Sequence, residues 1–180
     1  MKLSIKVVGA TAILALACTL SACAGQDTAG ASLVETKSPV QFLRNEAASR
    51  LIDGTDDSVE KQEDFSAACK PESEDPKELY RSWRSTLLAS VPPDSAVGVD
   101  QFVGALATSF AEDGWVLKES HDGDSSAKVS TMTKSGSVAN LKFTSTEDTG
   151  SGASMLIEAS GPCVLTDGPD SDEVLALEKK

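Results

Sequence analysis

The chain is 180 residues long, 40% hydrophobic and 24% charged, with 16 basic and 28 acidic side chains and a formal charge of -12. That is the size and balance of one soluble domain with some extra sequence, and it argues against a polytopic membrane protein, a two-lobed solute receptor or a multidomain enzyme. It argues against nucleic acid as well, whose phosphates need a basic stripe on the protein.

The N-terminus reads as an address. Lys2 and Lys6 form a short basic region, and Val7 to Ala17 is apolar and uncharged, the length of a secretory h-region and too short to span a bilayer. Leu20-Ser21-Ala22-Cys23 follows. It resembles the lipobox of bacterial lipoproteins, with leucine at -3, small residues at -2 and -1, and cysteine at the cut site. Cys18 is the competing position, but Ala15 stands at its -3 and it falls inside the apolar run. The other reading is an ordinary signal peptide cut after Ala22, leaving Cys23 as a free thiol.

The resemblance implies a signal peptide over 1–22, a diacylglycerol on the Cys23 sulfur with a possible second acyl group on its nitrogen, and no other cofactor. Two acyl chains hold a protein stably where one binds reversibly. The expected place is the extracytoplasmic face of the cell membrane. Loss of Lys2 and Lys6 takes the charge from -12 to about -14. An acidic body of that kind is expected to stand off anionic headgroups, leaving attachment to the lipid.

Residues 23–36 read as the acylated cysteine and a flexible Gly/Ser tether, and 37–180 as one domain. Ser38 as cap and Pro39 at the first helical position open a helix through Val40, Leu43, Ala47, Arg50 and Leu51, ended by Asp53-Gly54. Thr55 to Glu63 is mostly charged and expected to be exposed, and Lys70 to Pro76 is a loop by composition. Leu79 to Val91 is expected as a strand closed by Pro92-Pro93. Val99, Phe102, Val103, Leu106 and Phe110 form one stripe of an amphipathic helix that Gly114 stops. Strands are then expected over Trp115–Ser120, Ala127–Lys134, Val138–Ser145 and Ala153–Ala159, with a short helix over Ser171–Leu177. The fold class is α+β, with helices packed on one face of an antiparallel sheet of about four to five strands.

With Cys18 removed and Cys23 acylated, Cys69 and Cys163 remain. In an oxidising compartment they are expected to pair, closing a loop of about 94 residues and contributing about 4.6 kcal/mol by chain entropy. The pair is expected to tie the two ends of the sheet. A reactive thiol or metal pair is the alternative, without a CxxC or a nearby histidine to support it.

No catalytic constellation emerges, and no enzyme activity is expected. His121, the one histidine, sits beside Asp122 at an expected hairpin tip, where a triad partner would have to be buried and oriented. Asp122-Gly123-Asp124-Ser125 and the acids Asp167, Asp170, Asp172 and Glu173 are better read as turns than as calcium loops, since neither fits the twelve-residue template. Trp83 and Trp115 are expected in the core or at a sheet edge rather than stacking on sugars. Arg81 and Arg84 flank Trp83 and are half of the four arginines. They are either a solvated strand face paired with acids or, with Trp83, a small anion or ligand contact.

Cys69, Ser82-Trp83-Arg84-Ser85-Thr86, Gly114-Trp115, Ser160-Gly161-Pro162-Cys163 and Thr166-Asp167-Gly168-Pro169 together resemble small lipoproteins of actinobacteria. The likeness covers residues 65 to 178 and implies the fold, the disulfide and a single plasma membrane. It carries no catalytic residue. Two functions are therefore expected: a non-catalytic binding or scaffolding module meeting an envelope protein or cell-wall component, or a small-molecule or lipid binder with a pocket between the Val99–Phe110 helix and the sheet.

Overall fold

The computed structural model describes residues 31–51, 59–91, 98–121, 127–148 and 152–179. The expected signal peptide, Cys23, the tether as far as residue 30 and the Asp122–Ser125 loop lie outside them. The elements are α1 (Leu33–Ser49), β1 (Val59–Ala68), β2 (Tyr80–Val91), α2 (Val99–Glu112), β3 (Val116–His121), β4 (Ala127–Thr133), β5 (Asn140–Asp148), β6 (Gly152–Ser160), β7 (Val164–Leu165) and α3 (Asp172–Glu178). The seven strands form one antiparallel sheet in the order β1-β2-β6-β5-β4-β3, with β7 paired to β2. The α+β class stands, but the sheet is larger than the four to five strands expected.

The two added strands are β7, only two residues long, and β1. The first half of β1 falls in the Thr55–Glu63 stretch expected to be charged and exposed, and Val59 to Glu63 are exposed there, but as a paired strand. Gln62, Asp64 and Ser66 pair with Leu87, Ser85 and Trp83 of β2, so they share the face of the buried Trp83 and Leu87. With Gln62 exposed and only the polar Asp64 and Ser66 turned inward, the strand shows no apolar alternation for its sequence to reveal.

The start of α1 also differs from expectation. Ser32 caps it, not Ser38, and a reciprocal capping box joins Ser32 to Glu35. Leu33 and Thr36 are buried together with Val40, Leu43 and Ala47, so the apolar stripe begins inside the expected tether. Pro39 lies within the helix, where it lacks the N–H that would bond to Glu35. Tertiary burial on both sides of Pro39 outweighs the start signal of the Ser-Pro pair.

α2 follows its stripe, burying Val99, Val103, Leu106, Ala107 and Phe110. It closes with Gly114 at φ +84°, the Gly114 N–H bonding the Ala111 carbonyl and the Trp115 N–H the Phe110 carbonyl. This pair of bonds is a Schellman ending, which requires the left-handed residue that glycine supplies. α1 packs on β2, β5 and β6, α2 on β3, β5 and β6, and α3 on β1 and α1. Trp83, Phe110, Phe143, Leu87, Leu106, Met132, Leu141 and Ile157 fill the core between them. Gly161 lets α1 come close: a Cβ there would lie 3.1 Å from the Thr36 Cβ.

Cys69 and Cys163 are bonded, with Cα atoms 5.8 Å apart. The bridge does not tie the two ends of the sheet. Cys69 follows β1 and Cys163 precedes β7, and both strands pair with Arg81 of β2, through Ala68 and Val164. The disulfide therefore closes over the start of β2 and joins its two neighbours, while the far edge is β3.

Candidate functional site

Successive side chains of a strand point to opposite faces, and that decides the arginine pair. Arg81, Trp83 and Ser85 share one face of β2, and Ser82, Arg84 and Thr86 the other. Trp83 is fully buried, with Lys37 Nζ 4.7 Å above its ring. Arg81 donates from Nε to Ser66 Oγ at 2.9 Å, from Nη2 to the Ser66 carbonyl at 3.0 Å, and from Nη1 to Glu78 Oε2 at 3.0 Å. Arg84 Nη1 lies across the sheet, 3.8 Å from Glu158 Oε2. The expected contact of Arg81, Trp83 and Arg84 with one anion is not assembled, because the two guanidinium groups are on opposite sides of the sheet.

The other sequence candidates are dispersed. His121 ends β3 opposite Lys128 of β4. Around Asp167 the chain makes a turn: Thr166 Oγ1 accepts the Gly168 N–H at 3.1 Å, Gly168 has φ +100°, and Ser171 caps α3. Among the described residues no three His, Cys, Asp or Glu side chains are grouped to hold a metal ion.

What the fold does build is a groove between α1 and the β4–β5 turn, of about 920 Å³. Pro39 and Leu43 of α1, Trp115 after α2 and Ala139 before β5 give it an apolar lining. Phe42, 69% exposed, and Val138, 53% exposed, stand as its lips. Phe42 falls off the buried Val40–Leu43–Ala47 stripe and so points outward. Val138 is held out by a tight turn, with Gly136 at φ +79° and the Ser137 N–H bonded to the Lys134 carbonyl at 3.1 Å. Trp115 meets Phe110 edge to face, with ring centroids 5.6 Å apart, so the lining is continuous with the core.

Arg50 braces the end of this groove. Its Nη2 donates to Glu46 Oε1 and to Asp113 Oδ2, both at 2.5 Å, and its Nη1 to the Ser109 carbonyl at 2.9 Å. The guanidinium carbon lies 4.0 Å from the Phe110 ring centroid. Burial alone would weaken its hold on the proton, but hydrogen bonds to Asp113 and Glu46, with their charges, raise its pKa above the ordinary arginine value. Both groove-end carboxylates are thus bonded to one cation, which leaves a negative charge in excess at that end. The groove offers shape and apolar area, with Ser38, Glu46, Asp113 and Lys134 as polar groups on its lining.

A second cleft of about 310 Å³ lies between α2 and strands β3 and β4, lined by Val103, Ala107, Ala111 and Leu117, with Asp100 and Lys128 at its polar side. This cleft lies beside the Val99–Phe110 helix, while the larger groove at α1 has no counterpart among the expectations from sequence. The available signal was Phe42, a large aromatic off the buried stripe of its helix. No helix among the described residues is long and apolar enough to cross a membrane. No family model matches the chain, and no curated protein or solved structure matches it either.

Proposed function

We propose that the protein is a lipid-anchored, extracytoplasmic and non-catalytic binding module of the cell envelope, and that it makes contact through the groove between α1 and the β4–β5 turn. The observation that carries this reading is the pair of exposed lips, Phe42 and Val138, over an apolar lining. Large apolar side chains held outward on rigid elements mark contact surfaces. The anchor is the lipobox cysteine, Cys23, as in bacterial lipoproteins, and the likeness to small actinobacterial lipoproteins supports the placement on a plasma membrane. On this reading the three helices cover one face of the sheet, and the face bearing Arg84, Lys142 and Glu158 is left to solvent.

The alternative, a small-molecule or lipid binder seated between α2 and the sheet, has the 310 Å³ cleft in its favour. That volume is at the lower end for ligand pockets, roughly 300 Å³. The open groove is the stronger feature.

A photo-reactive phenylalanine analogue at position 42, in the native envelope, tests the proposal, with Cys23→Ser as the unanchored control and position 142 as the control site. Adducts are expected from position 42 of the anchored form. Equal yields from 42 and 142 would overturn the assignment of the groove.

A further inference from the structure

We infer that the component met by this groove is the bilayer itself: the outward stripe of α1, with Phe42 and Val138, rests in the lipid interface. The inference depends on the lipid-anchored reading above and names the partner of that same surface.

The first observation is the stripe. Val34, Ser38, Phe42, Asn45 and Ser49 are all exposed, at helical spacing along one side of α1, and none is charged. Glu35 is the one exposed charged residue of α1, and it sits in the first turn, tied to Ser32 in the capping box. The exposed positions of α2 include Asp100 and Glu112, and those of α3 include Asp172 and Glu178. The centre of α2's exposed face, Gln101, Gly104, Ala105, Thr108 and Ala111, is uncharged as well but carries no large apolar side chain, whereas α1 presents Val34 and Phe42 outward.

The second observation is where the chain enters. Nine peptide links separate Cys23 from Ser32, the cap of α1. At 3.3–3.6 Å per residue their full reach is about 30 Å. Phe42 lies about 15 Å further along the helix axis at about 1.5 Å per residue. An acylated Cys23 therefore holds this stripe within reach of the surface that holds the lipid. Docking is then intramolecular, and a few apolar side chains suffice where they would not recruit a free protein.

Charge decides the orientation. The acidic body as a whole is repelled by anionic headgroups, and a side whose charges are offset by cations approaches them more readily. At the groove, Glu46 and Asp113 are both bonded to Arg50, and Lys134 in the adjoining turn adds a cation. Carboxylates elsewhere are screened beyond a Debye length of about 8 Å. Contact of this kind does not weaken in high salt, unlike that of a basic patch.

The test uses the acylated full chain on vesicles of phosphatidylcholine and phosphatidylglycerol. Phe42→Cys, Val138→Cys and Lys142→Cys each add one thiol beside the acylated Cys23 and the Cys69–Cys163 bond, and each is labelled with a polarity-sensitive nitrobenzoxadiazole dye. Lys142 is exposed and lies on the sheet face opposite the buried Phe143. Dyes at 42 and 138 are expected to shift to the blue and to be quenched by spin-labelled phosphatidylcholine, in low and high salt alike, while the dye at 142 does neither. Dye at 42 as wet as dye at 142, on protein that floats with the vesicles, would overturn the inference and leave the anchor intact. So would a position-42 adduct to a protein in the native envelope, which would keep the groove and replace its partner. Failure to float would remove the anchor, and this inference with it.

Discussion

The two ends of the sheet are held by different physics. At the β1–β2 end polar side chains of α1, β1 and β2 are set beside the buried Trp83 and Leu87. Arg44, with only 6% of its side chain exposed, donates to Ser85 Oγ at 2.9 Å and to Gln62 Oε1 at 2.5 Å, and approaches Asp64 at 3.5 Å. Beside it Arg81 binds Ser66, whose N–H and hydroxyl both donate to Glu178 of α3. At the β3–β5 end the fill is aromatic and aliphatic: Phe110 against Trp115 and Phe143, with Met132 and Leu141 buried around them. Loss of a group at the apolar end leaves a cavity, whereas loss at the polar end leaves unpaired partners. The polar end depends on direction and the apolar end on volume.

Phe143→Ala should give the largest effect, because Phe143 is fully buried in the apolar end. A loss of about 3–5 kcal/mol is expected from transfer and cavity together, read from denaturant unfolding. The disulfide comes next. Replacing Cys69 and Cys163 together by Ala opens a loop of sequence separation 94 and should cost about 2–5 kcal/mol. If the polar end is held mainly by its hydrogen bonds, amide exchange in β1 and β7 will rise little more than elsewhere. If the covalent tie dominates, these two strands will exchange first.

Arg44→Leu separates the two modes most cleanly. It strands Asp64, Gln62 and Ser85, and a loss of about 2–3 kcal/mol is expected, reduced from that of a fully buried pair because Asp64 is 27% exposed. Adding Asp64→Leu should recover part of that loss, since two apolar groups of similar size leave no unpaired charge at that contact. A double variant less stable than Arg44→Leu alone would show that direction, and not mere neutralisation, holds this end.

The same division explains what was legible in the sequence. α2 and strands β4, β5 and β6 were readable because Val103, Leu106, Phe110, Leu141, Phe143 and Ile157 write their burial as apolar periodicity. β1 was not, because its polar residues are matched by arginines of α1 and β2, 15 to 20 residues away and beyond the reach of any strand periodicity. A pairing of this kind is a tertiary fact with no local signature. The start of α1 was legible in principle: Ser32-Leu33-Val34-Glu35 has the S-x-x-E pattern of a capping box, but the Ser38-Pro39 signal is locally stronger. The groove joins one helix to a turn about a hundred residues later, so only Phe42 hinted at it. The alternation that made β2 a recognisable strand also sets Arg81 and Arg84 on opposite faces.

That capping box yields the smallest and most specific effect. Ser32 Oγ accepts the Glu35 N–H at 3.4 Å, and Glu35 Oε2 accepts the Ser32 N–H at 2.9 Å. Ser32→Ala removes one half of the exchange and should cost about 1 kcal/mol. The Ser32 N–H first, and then its side chain, hold the Glu35 carboxyl below its ordinary value of 4.5. A carboxylate with a lowered folded-state pKa contributes stability that is full above 4.5 and is lost as the pH falls through the folded value. Glu35→Gln keeps a hydrogen-bonding oxygen without the titration. The stability difference between the native chain and Glu35→Gln should therefore shrink on acidification below that range, and be constant at neutral pH. Because this cap fixes the first turn of α1, the Glu35→Ala variant should also raise amide exchange at Thr36 and Lys37 while leaving Phe110 and Phe143 protected. Equal loosening at both ends of the sheet would mean that α1 fastens the aromatic end as firmly as the ionic one, and that the two ends unfold as a single unit.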